Sequence, residues 1–290
     1  MEVLKTYKLY IGGQFPRTES GRSYQVTDHS GKALANVCLA SKKDVRNAVQ
    51  AARKAQAPWA AKTAFNRSQI LYRIAEVLEG RKAQFVEELN QMGLTSAQAN
   101  QEVQAAINCC IYYAGWADKY QALISSVNPV ASSHFNFTVP EPTGVVGMVA
   151  SQESPLAGLV AQLLPIIVGG NTVVLVANNK QPLCAITFAE VLATSDVPGG
   201  VVNMLTGEVS ELLPTLADHM DVNALSLSLL ENKLIYAAQE AAVDNLKRCV
   251  VYPESFANEK QQGLSFIADF QELKTTWHPI EQLSGAGSGY

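Results

Sequence analysis

The sequence predicts an α/β fold built around a five-stranded parallel sheet. Five apolar, β-rich runs follow one another between residues 144 and 252, and four helical segments separate them at roughly 25-residue spacing. The runs are almost continuously apolar, as in Val173–Val176, which is typical of strands covered on both faces. These features together predict a doubly wound, Rossmann-like sheet. The predicted strands are Gly144–Ala150, Thr172–Ala177, Val201–Thr206, Ala224–Ser228 and Arg248–Tyr252.

The residues before this sheet favour short strands and then helices. Apolar runs within residues 8–40 are separated by Gly-containing turns, which predicts strands joined by tight turns. Residues 41–44 have the sequence of a capping box, and apolar residues at helical spacing follow it. Two further amphipathic helices are predicted around residues 70–78 and 103–114.

Two alternating segments predict a small β arm. Residues 133–140 alternate strictly between polar and apolar side chains, which places Phe135, Phe137 and Val139 on one face of a strand. A second alternating strand is predicted over residues 270–277. A bare strand of this kind is an aggregation hazard, so we expect the arm to form an oligomer interface; alternatively, its strands pair only with one another. The predicted interface residues are Phe135, Phe137, Val139, Leu273, Thr275 and Trp277.

These elements predict the domain organisation. Residues 1–128 and 141–255 are expected to form one Rossmann-like domain that carries the N-terminal helices. Residues 129–140 and 264–283 form the oligomerisation arm, and the Gly- and Ser-rich residues 284–290 form a flexible tail.

Composition and charge exclude several classes of function. The chain has 290 residues, of which 48% are hydrophobic, so it can bury a substantial core. Its formal net charge is -4 and it has no basic run, so we expect no nucleic-acid partner. The longest apolar stretch, Leu156–Val168, is shorter than the about 20 residues that cross a bilayer, so no membrane association is expected. The N-terminus lacks the pattern of a secretory signal, and we expect a cytoplasmic protein.

The cysteines and histidines indicate neither a disulfide framework nor a metal site. The 5 cysteines are odd in number and include no C-x-x-C pair. The 4 histidines lie far apart, without a second ligand at helical spacing.

Four segments match motifs of one known family, in the family's order. Gly144–Ala150 looks like a first nucleotide-domain strand, and Gly169–Leu175 resembles the motif AGNTVVLKP. Val197–Gly207 is similar to LPPGVVNVVTG, and Phe270–Trp277 is similar to the terminal strand YTEVKTVW. On these four segments, and on the shorter matches KLYIGGQF (Lys8–Phe15), YAGWADK (Tyr113–Lys119) and NLKR (Asn245–Arg248), the chain resembles the NAD(P)-dependent aldehyde dehydrogenase superfamily over nearly its whole length. The resemblance implies a cofactor-binding domain and an arm that adds strands to a neighbouring subunit's sheet.

The resemblance places six residues at the cofactor cleft, and positions in and around this cleft depart from the family pattern. Glu153 stands where the family's P-W-N-F-P motif has an Asn that donates to the oxyanion, and an ionised carboxylate only accepts hydrogen bonds. Val176 replaces the Lys of K-P-x-E, and Leu229 replaces the Gly of F-T-G-S. We therefore expect no bound NAD(P). The six cleft residues are Ser151, Gln152, Val176, Asn178, Asn179 and Gly207.

The residues that would catalyse aldehyde oxidation also depart from the family. Tyr252 stands at the position of the general base, and a phenol of ordinary pKa is a poor base at neutral pH. None of the cysteines has the neighbours of the family nucleophile, and Cys249 is expected in a buried strand. Only residues 256–269 occupy the interval where the family has its catalytic domain, so that domain is expected to be missing.

Three hypotheses follow from the sequence. The chain most resembles the truncated, non-catalytic second half of family 16 aldehyde dehydrogenases, which implies an inactive protein with an assembly or regulatory role. Its expected partner is a second copy or a full-length aldehyde dehydrogenase. The alternatives are an NAD(P)-dependent aldehyde oxidoreductase, acting alone or completed by a partner chain, and a module that binds a nucleotide or another small ligand in the altered cleft.

Overall fold

The computed structural model describes residues 3–28, 30–228, 230–253 and 262–280. The chain begins with a three-stranded sheet of β1 (Lys5–Tyr7), β2 (Ser23–Thr27) and β3 (Ala33–Cys38), in the order β1-β3-β2. Strand β1 is parallel to β3, and β2 is antiparallel to it. The short strands predicted within residues 8–40 are confirmed as β2 and β3. The predicted tail at 284–290 lies outside the described residues, as does Leu229.

Five helices follow this sheet. They are α1 (Lys42–Ala60), α2 (Ala64–Gly80), α3 (Lys82–Gln91), α4 (Ser96–Trp116) and α5 (Tyr120–Ile124). Helices α1, α2 and α4 confirm the three amphipathic patterns of the sequence. The sequence does not predict α3, because only Arg81 separates it from α2 and no side chain caps its start. Phe85 and Leu89 of α3 are nevertheless fully buried in the main core.

The capping box predicted for α1 is present and ties the helix to a neighbouring loop. Asp44 Oδ2 accepts hydrogen bonds from Ser41 N and Ser41 Oγ at 2.8 Å each, and from Thr18 Oγ1 at 2.7 Å. Its Oδ1 accepts the backbone N–H of Glu19 at 3.1 Å. Burial alone would raise the pKa of Asp44, but these hydrogen bonds outweigh it and hold the pKa below its ordinary value.

Replacing Asp44 by Asn is expected to lower the free energy of unfolding at neutral pH by about 2 kcal/mol, because the charge that attracts four donors is lost. Since the folded-state pKa is lowered, the stabilisation is present above the unfolded pKa and is lost as the pH falls through the folded pKa. Urea unfolding of both proteins from pH 7 to pH 3 measures this. A difference between the proteins that stays constant over this range would contradict the assigned role of the carboxylate.

The chain then enters a second small sheet and the central sheet. Strands β4 (Ser126–Asn128) and β5 (His134–Pro142) belong to the small sheet. The central unit consists of β6 (Val145–Val149), α6 (Ala157–Val168), β7 (Thr172–Val176), α7 (Leu183–Ala193), β8 (Val202–Leu205), α8 (Val209–Asp218), β9 (Ala224–Ser228), α9 (Asn232–Ala242), a short 3-10 turn (Val243–Asn245) and β10 (Arg248–Tyr252). Its strands are all parallel, in the order β10-β9-β6-β7-β8. The five predicted strands and their parallel arrangement are confirmed.

Helices cover both faces of the central sheet. Val173 and Leu175 of β7 lie in one core cluster with α6 and α7, whereas Val174 and Val176 lie in a second cluster with α1, α8 and α9. Because successive side chains of a strand point to opposite faces, a strand between two helical layers has apolar residues at every position. The doubly wound, Rossmann-like α/β fold is therefore confirmed.

The last described segment returns to the small sheet. Helix α10 (Leu264–Ala268) and the following Phe270 contribute to the main core, so the arm strand β11 (Gln271–Pro279) begins directly after them. Strand β11 pairs antiparallel with β5, and β5 pairs with β4, in the order β11-β5-β4. We call this sheet the arm. In the described part of the chain, no helix combines the length and apolar character needed to cross a membrane.

Candidate functional site

Four of the six residues expected at the cofactor cleft lie together at the carboxyl ends of two central strands. Ser151 and Gln152 follow β6, and Asn178 and Asn179 follow β7, which is its parallel neighbour. Asn178 Nδ2 donates to the carbonyl of Ser151 at 3.3 Å, and the backbone N–H of Asn179 donates to Gln152 Oε1 at 3.4 Å. Gln152 Nε2 donates to the carbonyl of Ala150 at 2.8 Å. These groups hold the two loops against each other.

The asparagine side chains are used for contacts within the protein. Asn178 Oδ1 accepts the backbone N–H groups of Lys180 and Gln181, at 2.9 Å each, and thereby fixes the turn after β7. Asn179 Nδ2 donates to Glu208 Oε2, at the start of α8, at 2.8 Å. Because these amide groups are already paired, a ligand would have to displace contacts that hold the loops.

The other two expected cleft residues, Val176 and Gly207, contribute to packing within the protein. Val176 is the last residue of β7, and its side chain is fully buried in the second core cluster. Gly207 has a φ of +153°, which favours glycine. A Cβ atom at Gly207 would lie 3.3 Å from the backbone nitrogen of Ala40 and 3.3 Å from Leu212 Cδ1. Val176 therefore offers no polar group, and Gly207 allows close packing of the backbone.

Helix α6 begins next to this cleft, and its N-terminus already holds a carboxylate. Glu102 Oε1, from α4, accepts the backbone N–H groups of Leu156 and Ala157 at 3.1 and 3.0 Å, and the hydroxyl of Ser154 at 2.6 Å. The unpaired N–H groups and the dipole of a helix N-terminus attract anions such as phosphate. Glu102 therefore occupies the place at the N-terminus of α6 where an anion would bind, which we call the anion position of α6. The sequence contains no signal for this contact, because Glu102 lies 52 residues before Ser154.

Replacing Glu102 by Gln is expected to lower the free energy of unfolding by about 1–2 kcal/mol, because the start of α6 loses its charged acceptor. Glu87→Gln is the matched control on α3, since Glu87 is exposed and its change should stay within about 0.5 kcal/mol. Chemical denaturation at neutral pH measures both variants. Equal stabilities for the two variants would contradict the capping role.

A polar cavity opens beside this helix start. Its volume is about 420 Å³, and Glu102 and Glu153 both line it, together with Gln98, Gln101 and Gln181. Two carboxylates on one cavity repel phosphate groups and other oxyanions. The charge of this cavity therefore disfavours the binding of anions.

The thiols give no reactive nucleophile at the cleft. Cys38, Cys109, Cys110 and Cys184 are buried. Burial raises the pKa of Cys109, Cys110 and Cys184, which disfavours the reactive thiolate. Cys249 lies in the strand that the sequence predicts, but the expectation of a buried strand is wrong, because β10 is an edge strand and its residues are only partly buried. Burial still raises the pKa of Cys249, although Lys247 opposes this effect.

Tyr252 is not suited to act as a base. Its hydroxyl donates to Asp269 Oδ2 at 2.8 Å. Burial, followed by the charge of Asp269, raises the pKa of Tyr252 far above its ordinary value. A phenol with a raised pKa stays protonated at neutral pH and cannot accept a proton from a substrate.

The six residues predicted for the interface all lie in the arm, but on two opposite faces. In an antiparallel pair, residues directly opposite each other point to the same side. Phe137 is opposite Thr276, and Trp277 is opposite Asn136, so the aromatic residues of β5 and β11 point to different sides. The phenylalanine face comprises Val127, Phe135, Phe137 and Val139. The tryptophan face comprises Leu273, Thr275 and Trp277.

Both faces expose large apolar side chains. On the phenylalanine face, Val127 is 68% and Phe135 is 45% exposed. On the tryptophan face, Leu273 is 62% and Trp277 is 57% exposed. A shallow groove of about 340 Å³ runs along the phenylalanine face, where the ring centroids of Phe135 and Phe137 are 5.5 Å apart. Exposed apolar residues grouped on one element are typical of an interaction surface.

Comparison with known proteins identifies the family. The sequence model of the aldehyde dehydrogenase family matches residues 16–251, which is most of the chain. The chain therefore belongs to the aldehyde dehydrogenase family, as the sequence motifs predict.

The relatives are considerably longer than this chain. It is 32% identical over 254 residues to a cytosolic 10-formyltetrahydrofolate dehydrogenase of Xenopus tropicalis, a match that covers 86% of this chain and 28% of that relative. An aldehyde dehydrogenase of Aspergillus niger is 32% identical over 246 residues, covering 83% of this chain and 48% of the relative. The solved NAD+ complex of an aldehyde dehydrogenase from Bacillus cereus superposes with a TM-score of 0.80 at 25% identity, covering 85% of this chain and 50% of that one. The chain thus spans about half the length of these two aldehyde dehydrogenases, and less of the first relative.

Proposed function

We propose that this chain is a non-catalytic member of the aldehyde dehydrogenase family with an assembly or regulatory role that it performs through the arm. The observation that carries the proposal is the start of α6. Glu102 fills its anion position there, and Glu153 adds a second carboxylate to the adjoining cavity. A dinucleotide whose phosphates entered this cavity would be repelled by two negative charges.

Further features of the cleft argue against NAD(P), the cofactor that the family implies. Val176 is buried and cannot donate to a ribose hydroxyl. Asn178 and Asn179 use their side chains to hold their own loops. We therefore assign no step of hydride transfer to this cleft, and we do not favour the oxidoreductase hypothesis.

The arm supports a role in assembly. Its apolar side chains are exposed on both faces, whereas isolated proteins normally bury such clusters. Among the residues that the structure describes, no strand pairs with the second edge of β11, which is the geometry by which a strand is added to another chain's sheet. The proposed partner is a second copy of the chain or a full-length aldehyde dehydrogenase.

Light scattering of the purified chain, alone and mixed with a purified full-length aldehyde dehydrogenase from the same organism, tests the assembly role. We expect a mass above that of the monomer in at least one of the two samples. A spectrophotometric assay of NAD+ reduction with several aldehydes tests the catalytic part, and we expect no turnover by the chain alone. Aldehyde-dependent turnover that disappears in Glu153→Ala would overturn the proposal, as would a chain that stays monomeric in both samples.

A further inference from the structure

A cavity that belongs to neither the cleft nor the arm lies at the amino edge of the central sheet. Its volume is about 640 Å³, which is within the range of sites that hold small organic molecules. One wall is α1, and the other is formed by Gly12, Pro198 and Gly199. Pro198 and Gly199 precede β8, whereas the cleft residues follow β6 and β7, so in this parallel sheet the two sites lie at opposite edges. We call this space the amino-edge cavity.

The walls of the amino-edge cavity are held together by a buried amide. Asn203 of β8 is fully buried, its Oδ1 accepts the backbone N–H of Gly12 at 2.9 Å, and its Nδ2 donates to the carbonyl of Gly200 at 2.9 Å. The two loops also approach each other closely, since a Cβ atom at Gly199 would lie 2.6 Å from the carbonyl oxygen of Gly12. Because these walls are already ordered, a ligand does not have to order them, which favours binding.

The lining combines an apolar surface with two lysines. Lys54 lies on α1, and Lys62 lies two residues after the end of this helix. Within the described part of the chain, neither lysine forms an ion pair, and no aspartate or glutamate lines the cavity. The apolar lining residues are Ala51, Ala55, Pro58, Trp59 and Pro198.

The acidic residues near Lys62 line a different, adjoining cavity. That space shares Lys62 with the amino-edge cavity and is also lined by Arg73, Glu76 and Asp196. Arg73 Nη1 pairs with Glu76 Oε2 at 2.8 Å, so the charges of these two residues largely cancel. The charged residues of the amino-edge cavity are lysines, although the whole chain has a formal net charge of -4. A local concentration of one charge in a concave site attracts ligands of the opposite charge.

We propose that the amino-edge cavity binds a phosphate monoester that carries a small apolar group. The phosphate has nearly two negative charges at neutral pH, which match the two ammonium groups of Lys54 and Lys62. The flexible stems of these lysines allow both ammonium groups to turn toward one phosphate. The apolar group lies between Pro58 on α1 and Pro198 on the opposite wall. The inference goes beyond the proposed function, because no residue of the arm or of the cofactor cleft takes part in this site.

Isothermal titration calorimetry with phenyl phosphate tests the site. We expect binding to the unaltered chain with a dissociation constant of about 1 mM or lower. In Lys54→Glu and Lys62→Glu a repulsive charge replaces an attractive one, so the affinity should fall about tenfold or more. Lys233→Glu is the matched control, because Lys233 is an exposed lysine of α9 that does not line the cavity, and it should keep the affinity of the unaltered chain. Thermal melting verifies that the variants are folded, and the exposed position of Lys54 makes Lys54→Glu decisive if Lys62→Glu is not.

Two further probes test the chemical class of the ligand. Inorganic phosphate has the charge without the ring, and phenol has the ring without the charge. We expect each to bind about tenfold more weakly than phenyl phosphate, since each makes only one of the two sets of contacts. The proposal would be overturned by a chain that does not bind phenyl phosphate, or by equal affinities of Lys54→Glu and Lys233→Glu. Inorganic phosphate or phenol that binds as tightly as phenyl phosphate would also overturn it, because the apolar lining or the lysines would then contribute nothing.

Discussion

Replacing Leu273 by Asp will convert the assembled chain to monomers. The side chain is 62% exposed in the isolated chain, so a carboxylate there is well hydrated and should change folding little. In an assembly through the tryptophan face, the same carboxylate would be buried without a partner, which costs about 3 kcal/mol, or roughly a hundredfold in the dissociation constant. Analytical ultracentrifugation over a range of concentrations measures this change.

Met220→Asp is the matched control, because Met220 is 64% exposed and lies outside the arm. It should leave the dissociation constant unchanged. Phe137→Asp makes the corresponding change on the phenylalanine face, and we expect it to weaken binding of any partner that uses the groove there. An assembly that persists unchanged in both Leu273→Asp and Phe137→Asp would show that the arm is not the contact.

The central sheet can be predicted from the sequence because the residues that define each strand lie next to one another in the chain. Strands such as β7 are apolar at every position, and turn residues separate them from the helices. The capping box at Ser41 and Asp44 is equally local, since both partners lie within four residues. Such features can be recognised in short stretches of sequence, and the folded protein contains them.

The features that the sequence does not reveal depend on distant contacts. Glu102 has no distinctive neighbours, and its contact with α6 exists only because α4 packs against that helix. The partial burial of Cys249 follows from the edge position of β10, which depends on the order of strands and not on its own residues. Both cases require the tertiary arrangement before the role of the residue can be stated.

The arm shows the same distinction within one element. Alternation correctly indicates that Phe135 and Phe137 share a side of β5, and that Leu273 and Trp277 share a side of β11. It does not indicate whether these two sets share one face, because this depends on the register between strands that are far apart in the chain. The register of β5 and β11 places the two sets on opposite faces. The arm therefore offers two different surfaces, which alternation within each strand does not reveal.

Adding NAD+ or NADP+ at about 1 mM will leave the melting temperature of the chain unchanged. A ligand present at a hundred times its dissociation constant stabilises a protein by about 2.7 kcal/mol, which corresponds to a shift of several degrees. We expect no such shift, because the anion position of α6 is filled by Glu102 and the adjoining cavity also carries Glu153. A full-length aldehyde dehydrogenase in the same assay serves as the positive control.

The variant Glu102→Gln separates charge repulsion from the remaining departures of the cleft. It removes one of the two carboxylates but leaves Val176 buried and the Asn179–Glu208 contact in place. If these features also prevent binding, the melting temperature of Glu102→Gln will be lower than that of the unaltered chain and equally insensitive to either dinucleotide. A dinucleotide-dependent rise in the unaltered chain would contradict the proposed loss of the cofactor site. A rise confined to Glu102→Gln would assign that loss to this one carboxylate, because the rest of the cleft would then be competent to bind.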